Sequence, residues 1–269
     1  MRSVWWRALP LCLVGLLGLI ALIFTAPEAA PVKVTANLLQ TLGAGLGAAY
    51  LFLVVRTFNR DEPVRSGWLR LALGMAANCL GFLIYGVLEL SGLEDPFPSV
   101  ADFFWLITYP LALYGIADLA RQYRSSGLPM ARPRLAPVIF VAALAATVAW
   151  LMVPMAANDD VPLWHRALLV AYPVGDVILI GAAAYMAELM AGFGRGALTW
   201  PWIALVAGFL VMASTDLVYA LLDLHGLYQT GSPVDAGWVL SGVLIGFGGF
   251  QQWRIMTRGV GREGCDDAV

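Results

Sequence analysis

Eight stretches of this chain are apolar over the length a helix needs to cross a bilayer, and that pattern decides most of what the chain can become. They run over 8–26, 36–55, 68–90, 101–120, 135–153, 166–187, 200–222 and 236–253. A span takes about 20 mostly apolar residues to cover about 30 Å of hydrocarbon. Backbone groups in lipid must find partners within their own segment, which selects helices. Hydrophobic residues make up 60% of the 269 and charged residues 13%, against about 45–50% and about 25% in soluble domains, so a water-soluble fold is excluded. Beside the spans there is no room for a soluble catalytic domain, which needs roughly 100 residues. The three cysteines, Cys12, Cys79 and Cys265, have neither a disulfide nor a metal-ligand spacing.

Charge gives the expected orientation. Arg2, Arg7, Arg56, Arg60, Arg65, Arg70, Arg121, Arg124, Arg132, Arg134, Arg195, Arg254, Arg258 and Arg262 fall on one side of the predicted spans, leaving Lys33 and Arg166 on the other. The positive-inside rule then puts both termini in the cytoplasm of a plasma (inner) membrane protein. The opposite loops are acidic, with Glu94, Asp95, Asp159 and Asp160. Tryptophans near span ends, among them Trp68, Trp105, Trp150, Trp164, Trp200 and Trp202, read as interfacial belts. Phe24-Thr25-Ala26 ends in a small residue that would suit a cleaved leader, but Pro27 follows at once, so the first span is expected to stay.

Two segments repeat. Tyr85-Gly86-Val87-Leu88-Glu89-Leu90-Ser91-Gly92-Leu93 matches Tyr219-Ala220-Leu221-Leu222-Asp223-Leu224-His225-Gly226-Leu227. Each copy leads through a short loop to an Asp (Asp102, Asp235), with Trp105 or Trp238 three residues on. Trp68 and Trp202 also correspond, as do Gly74 and Gly208. The fold class expected is therefore all-α integral membrane: eight transmembrane helices as two parallel four-helix repeats, 1–134 and 135–255, with a cytoplasmic tail over 256–269. The glycines inside spans (Gly43, Gly45, Gly47, Gly242, Gly246, Gly249) would let helices approach closely, and none follows a strand as a nucleotide fingerprint requires.

The candidate site is the set of polar residues placed where apolar ones would insert more cheaply. Asp176 lies ten residues past Arg166, roughly 15 Å deep at 1.5 Å per residue. An Asp near the midplane costs at least about 2.5–3.5 kcal/mol on insertion scales. Asp216 lies about two turns below the outer end of its span, Asn78 near the middle of another, and Asp102 at a span mouth. Tyr172, directly before Pro173 in Tyr172-Pro173-Val174-Gly175-Asp176, and Tyr219, three residues past Asp216, complete the set of ligand- or proton-binding candidates. No basic residue sits at similar depth, so these acids are protonated, hydrated or bound to something. The bland alternatives are a capping box for Ser99 and Asp102, packing for Asp176, and plain solvation for Glu89, Asp223 and Asp235. The only lysine, Lys33, is in a loop, which excludes a retinal Schiff base in a span; catalytic and metal residues are expected to be none, and no cofactor can be named.

Pro98-Ser99-Val100-Ala101-Asp102, Tyr172-Pro173-Val174-Gly175-Asp176, Thr215-Asp216-Leu217-Val218-Tyr219 and Val234-Asp235-Ala236-Gly237-Trp238 together resemble a group of bacterial multi-spanning sensory regions that precede GGDEF/EAL or histidine kinase modules. The resemblance implies a membrane-embedded sensor signalling through its last helix. Fifteen residues follow Arg254 and no output module lies among them, so the expectation is either a separate cytoplasmic signalling partner or a membrane scaffold that serves another purpose. The expectation is a non-enzymatic membrane sensor binding a small ligand, cation or proton in an outward-facing polar cavity. A small secondary transporter and a structural subunit of a membrane complex are the alternatives. The lipid bilayer is an expected partner, nucleic acid is not, and the oligomeric state stays open.

Overall fold

A computed structural model describes residues 30–93, 96–125, 135–156, 162–191 and 199–266. They form seven helices: α1 (Ala30–Val55), α2 (Pro63–Leu90), α3 (Val100–Ser125), α4 (Leu135–Ala156), α5 (Leu163–Ala191), α6 (Trp200–Leu224) and α7 (Asp235–Asp266). Five of them, α1, α2, α3, α5 and α6, are long and apolar enough to cross a membrane, which fits a multi-pass membrane protein. The expectation of eight transmembrane helices in two four-helix repeats is corrected: the described residues form seven helices, of which five are candidate spans. The stretch 8–26 lies outside the described residues. The last stretch, 236–253, is helical but diluted by five glycines, Ser241, Gln251 and Gln252, and does not count among the five candidate spans.

The helices pack as a ring. In order around it, α1 meets α2, α2 meets α3, α3 meets α5, α5 meets α6, α6 meets α7, and α7 returns to α1; α4 packs outside, on α5. The ring inverts the soluble pattern. Leu38, Leu42 and Leu46 on α1, Leu80, Leu83 and Val87 on α2, and Val243 and Phe247 on α7 point outward, while Asn37, Gln40, Asn78, Asp102, Thr108, Asp176, Asp235 and Gln252 are buried. Lipid tails are as apolar as leucine, so packing rather than hydrophobic exclusion must hold such helices together. The glycines serve that role as expected. Gly43 and Gly47 of α1 abut Val239 and Gly242 of α7, and Gly208 of α6 abuts Ile245.

Two tryptophans read as belt residues are instead core. Trp68 and Trp202 are fully buried, with ring centroids 5.4 Å apart, among Leu71, Leu119, Leu205 and Ile245. They join α2 to α6 across the ring and fill one end of it. Trp150, Trp164 and Trp200 are exposed, as belt residues are. At the arginine-rich end, Asp118 pairs with Arg70 and with Arg121, the latter at 3.5 Å.

An aromatic cavity with buried carboxyls as candidate functional site

At the ring end opposite Trp68 and Trp202 lies a cavity of about 80 Å³. All six ring helices contribute to it: Gln40 from α1; Asn78, Phe82 and Tyr85 from α2; Asp102, Trp105, Thr108 and Tyr109 from α3; Leu169, Tyr172 and Pro173 from α5; Met212, Asp216, Tyr219 and Ala220 from α6; and Trp238 from α7. Phe97 and Tyr228, from the segments before α3 and α7, close it. Half of these residues are aromatic. Their rings interlock edge to face, Tyr219 with Tyr228 at 4.6 Å and Phe82 with Trp105 at 5.4 Å, which holds the wall in one arrangement.

The wall is held by hydrogen bonds between helices. The Tyr109 hydroxyl of α3 donates to Asp176 Oδ1 of α5 at 2.9 Å. The Trp238 indole of α7 donates to Asp216 Oδ1 of α6 at 2.6 Å, and the Tyr172 hydroxyl of α5 donates to Asp102 Oδ1 of α3. Each buried acid is thus tied to a ring on another helix. Both tyrosines precede a proline, Pro110 and Pro173, that lies inside its helix. A helical proline leaves the carbonyl four residues earlier without its usual donor; here these are Leu106 and the cavity residue Leu169. Glycines make the seats: a Cβ on Gly175 would lie 2.7 Å from the Tyr109 ring, and one on Gly81 would run into the Trp105 indole. Gly175 therefore makes room for a ring, a role its place after Pro173 does not disclose.

Five of the six sequence candidates, Asn78, Asp102, Tyr172, Asp216 and Tyr219, line this cavity. Asp176 stands behind it, 2% exposed, its carboxyl within hydrogen-bonding reach of Asp216. Its Oδ2 is buried with no donor. Two carboxylates this close do not both ionise without compensation, so the pair holds a proton or a cation. Asp102 does cap α3: it accepts from the Ser99 N–H at 2.6 Å while Ser99 Oγ accepts from the Ala101 N–H. Its second oxygen takes the Tyr172 hydroxyl, so capping and the cavity wall share one carboxyl.

Glu89 and Asp235, read as solvated, are not. The Glu89 side chain is 5% exposed, takes the Asn37 amide at 2.6 Å and pairs with Lys33 at 3.8 Å. Asp235 accepts from the Gly231 N–H at 2.7 Å and the Tyr228 hydroxyl at 3.0 Å. It latches the 225–234 segment, and with it Tyr228, over the cavity. Of the residues sequence reasoning passed over, Trp238 carried a signal, its fixed spacing from Asp235; Gln40, Phe97 and Tyr228 carried none. Among the described residues no group of three His, Cys, Asp or Glu is placed to hold a metal.

Asp235 stands just outside the 236–253 stretch. Burial pushes its carboxyl from the ordinary value near 3.8 up to about 7, aided by the nearby Glu89 charge and opposed by Gly231 and Tyr228. The native state therefore holds this proton more tightly than the unfolded chain. The stability that follows is complete below about pH 4 and is lost as pH rises through about 7. Wild type should lose melting temperature over that window relative to Asp235→Asn, whose side chain cannot titrate. Parallel melting curves from pH 4 to 8 would refute the latch as drawn.

No protein family, curated protein or solved structure matches this chain. The resemblance to sensory regions rests on its short motifs alone.

Proposed function

We propose that this chain is a non-enzymatic sensor of a bacterial inner membrane, with both termini cytoplasmic, which binds a small ligand or ion in the outward-facing cavity and passes its occupancy to a cytoplasmic partner. The observation that carries this reading is the form of the cavity, built by every helix of the ring at one end and backed by the buried Trp68–Trp202 contact at the other. A carrier would need polar residues along both halves of its depth. Here, among the described residues, every buried acid stands at the cavity end, and only Thr199 and Gln252 are buried polar residues at the other.

The output route is α7. It begins at the cavity with Asp235 and Trp238 and continues as one helix through position 256 to Asp266. Its 32 residues make roughly 48 Å at 1.5 Å per residue, against about 30 Å of hydrocarbon. About three turns thus extend beyond the bilayer, rigidly joined to the cavity wall.

The test is photo-crosslinking in cells from a reactive residue at Thr257, beside transport of candidate solutes in proteoliposomes. A cytoplasmic signalling protein should be captured in wild type, its yield should change in Asp216→Asn, and no Asp216-dependent flux should occur. Flux abolished by Asp216→Asn would replace the sensor with a secondary transporter. Capture of membrane subunits alone, insensitive to Asp216→Asn, would make the chain a structural subunit.

A further inference from the structure

The chemistry of the cavity wall selects what enters it. Nine of its residues are aromatic, two are carboxylic acids and none is basic. Behind Asp216 stands Asp176, whose Oδ2 lacks a donor. An anion would meet acids and ring faces that repel it. A neutral apolar guest would leave the acid pair to be balanced by a shared proton. A cation suits both features, because ring faces attract positive charge and it can take that proton's place beside the paired acids.

The same wall argues against a hard metal ion. Calcium takes six to eight oxygens and magnesium a near-octahedral set. Asp102 has one oxygen on the Ser99 N–H and the other on the Tyr172 hydroxyl, and Asp216 Oδ1 is held by Trp238. Among the carboxylate oxygens of Asp102, Asp216 and Asp176, only the second ones of Asp216 and Asp176 are left for a divalent ion. A buried donor of the lining, Gln40 Nε2, is also unpaired, on a residue only 3% exposed. It calls for an acceptor on the guest. The 80 Å³ of space holds about five to eight water-sized groups at roughly 10–15 Å³ each, which is the scale of a small organic molecule.

We infer that the cavity binds a small organic cation: an ammonium group set among Tyr219, Trp238 and the Asp216–Asp176 pair, with a hydrogen-bond acceptor turned toward Gln40. This rests on the reading of the cavity as a ligand site and adds the class of ligand.

Choline, which joins a quaternary ammonium to a hydroxyl, is a suitable probe, with tetramethylammonium as the bare cation. The neutral control is 3,3-dimethylbutan-1-ol, choline's carbon isostere. Binding to the full chain in nanodiscs would be followed by tryptophan fluorescence, since Trp105 and Trp238 line the site, and by melting temperature. Choline should bind, tetramethylammonium more weakly, and the neutral alcohol about 2- to 30-fold more weakly than choline, the loss of the attraction between a cation and the ring faces. Asp216→Asn should narrow the difference between choline and the alcohol, the ring faces keeping a remainder of it. Tyr219→Leu, which keeps the acids and removes one ring, should weaken choline about 2- to 30-fold; this second variant keeps the test decisive if Asp216→Asn misfolds. Equal binding of choline and the alcohol would overturn the cation assignment and leave the ligand site standing. Binding of none of the three at millimolar concentration would also overturn it. The sensor reading fails separately, on Asp216-insensitive crosslinking.

Discussion

Gly242→Leu should leave little folded protein. A Cβ at this position of α7 would lie 2.5 Å from the Gly43 carbonyl oxygen and 2.7 Å from the Ala44 nitrogen of α1. These are main-chain atoms of a helix, and no rotamer change moves them aside. Close approach through small residues is what associates helices in lipid, so the obstruction falls on the force that closes the ring. Overpacking costs about 1–3 kcal/mol where side chains can yield; here the loss should reach about 3 kcal/mol or more, and Gly242→Ala should show part of it. Gly181→Ala is the control, because its Cβ would meet only Val141 at 3.4 Å, an ordinary contact. Unfolding in detergent should separate the two alanine variants clearly. Equal stabilities would mean that the α1–α7 seam opens to accommodate a side chain. The cavity should go with the seam, because Gln40 and Trp238 stand on its two sides.

That seam was legible in part. Glycines at 43 and 47, and at 242, 246 and 249, announce close packing in any apolar helix, but nothing in the pattern tells which helix approaches which. The acids were legible for a sharper reason: lipid makes each of them costly, so Asp176 and Asp216 stand out without any structure, and the ring brings them side by side. Glu89 and Asp235 did not stand out, because a carboxyl at a span end is ordinary in water and only the folded loops show it enclosed. The tryptophans failed from the opposite side. Position near a span end is what places Trp150 and Trp164 at an interface, and Trp68 and Trp202 share that position, yet they face the ring's interior. Facing is a property of how helices rotate against one another, and the near-uniform apolar composition of these spans leaves little periodicity to reveal it. Helix count failed likewise: a run such as 236–253 is helical by length but too rich in glycine and glutamine to be counted by apolarity.

Trp68→Ala should cost about 3–5 kcal/mol, the usual range for emptying a buried tryptophan site. Both indoles are fully buried, and their neighbours Leu71, Leu205 and Ile245 are fixed in helices that cannot collapse inward without breaking the Gly208–Ile245 approach. Trp202→Ala should cost a similar amount. The double variant should cost less than the two together, with a coupling of about 0.5–3 kcal/mol, because residues in contact share the void that either one leaves. A double-mutant cycle of unfolding free energies measures this, and strict additivity would show that the rings stabilise the fold independently. The same variant bears on how the cavity works. The paired indoles lie between the cavity and the arginine-rich end of the ring, so under the proposed function they form the barrier that makes the cavity a binding site and not a passage. With both truncated and the ring still folded, proteoliposomes should begin to leak tetramethylammonium, whereas wild type stays tight. Tight vesicles from the folded double variant would place the barrier elsewhere in the buried cluster, among Leu119, Leu179, Ile180 and Met186.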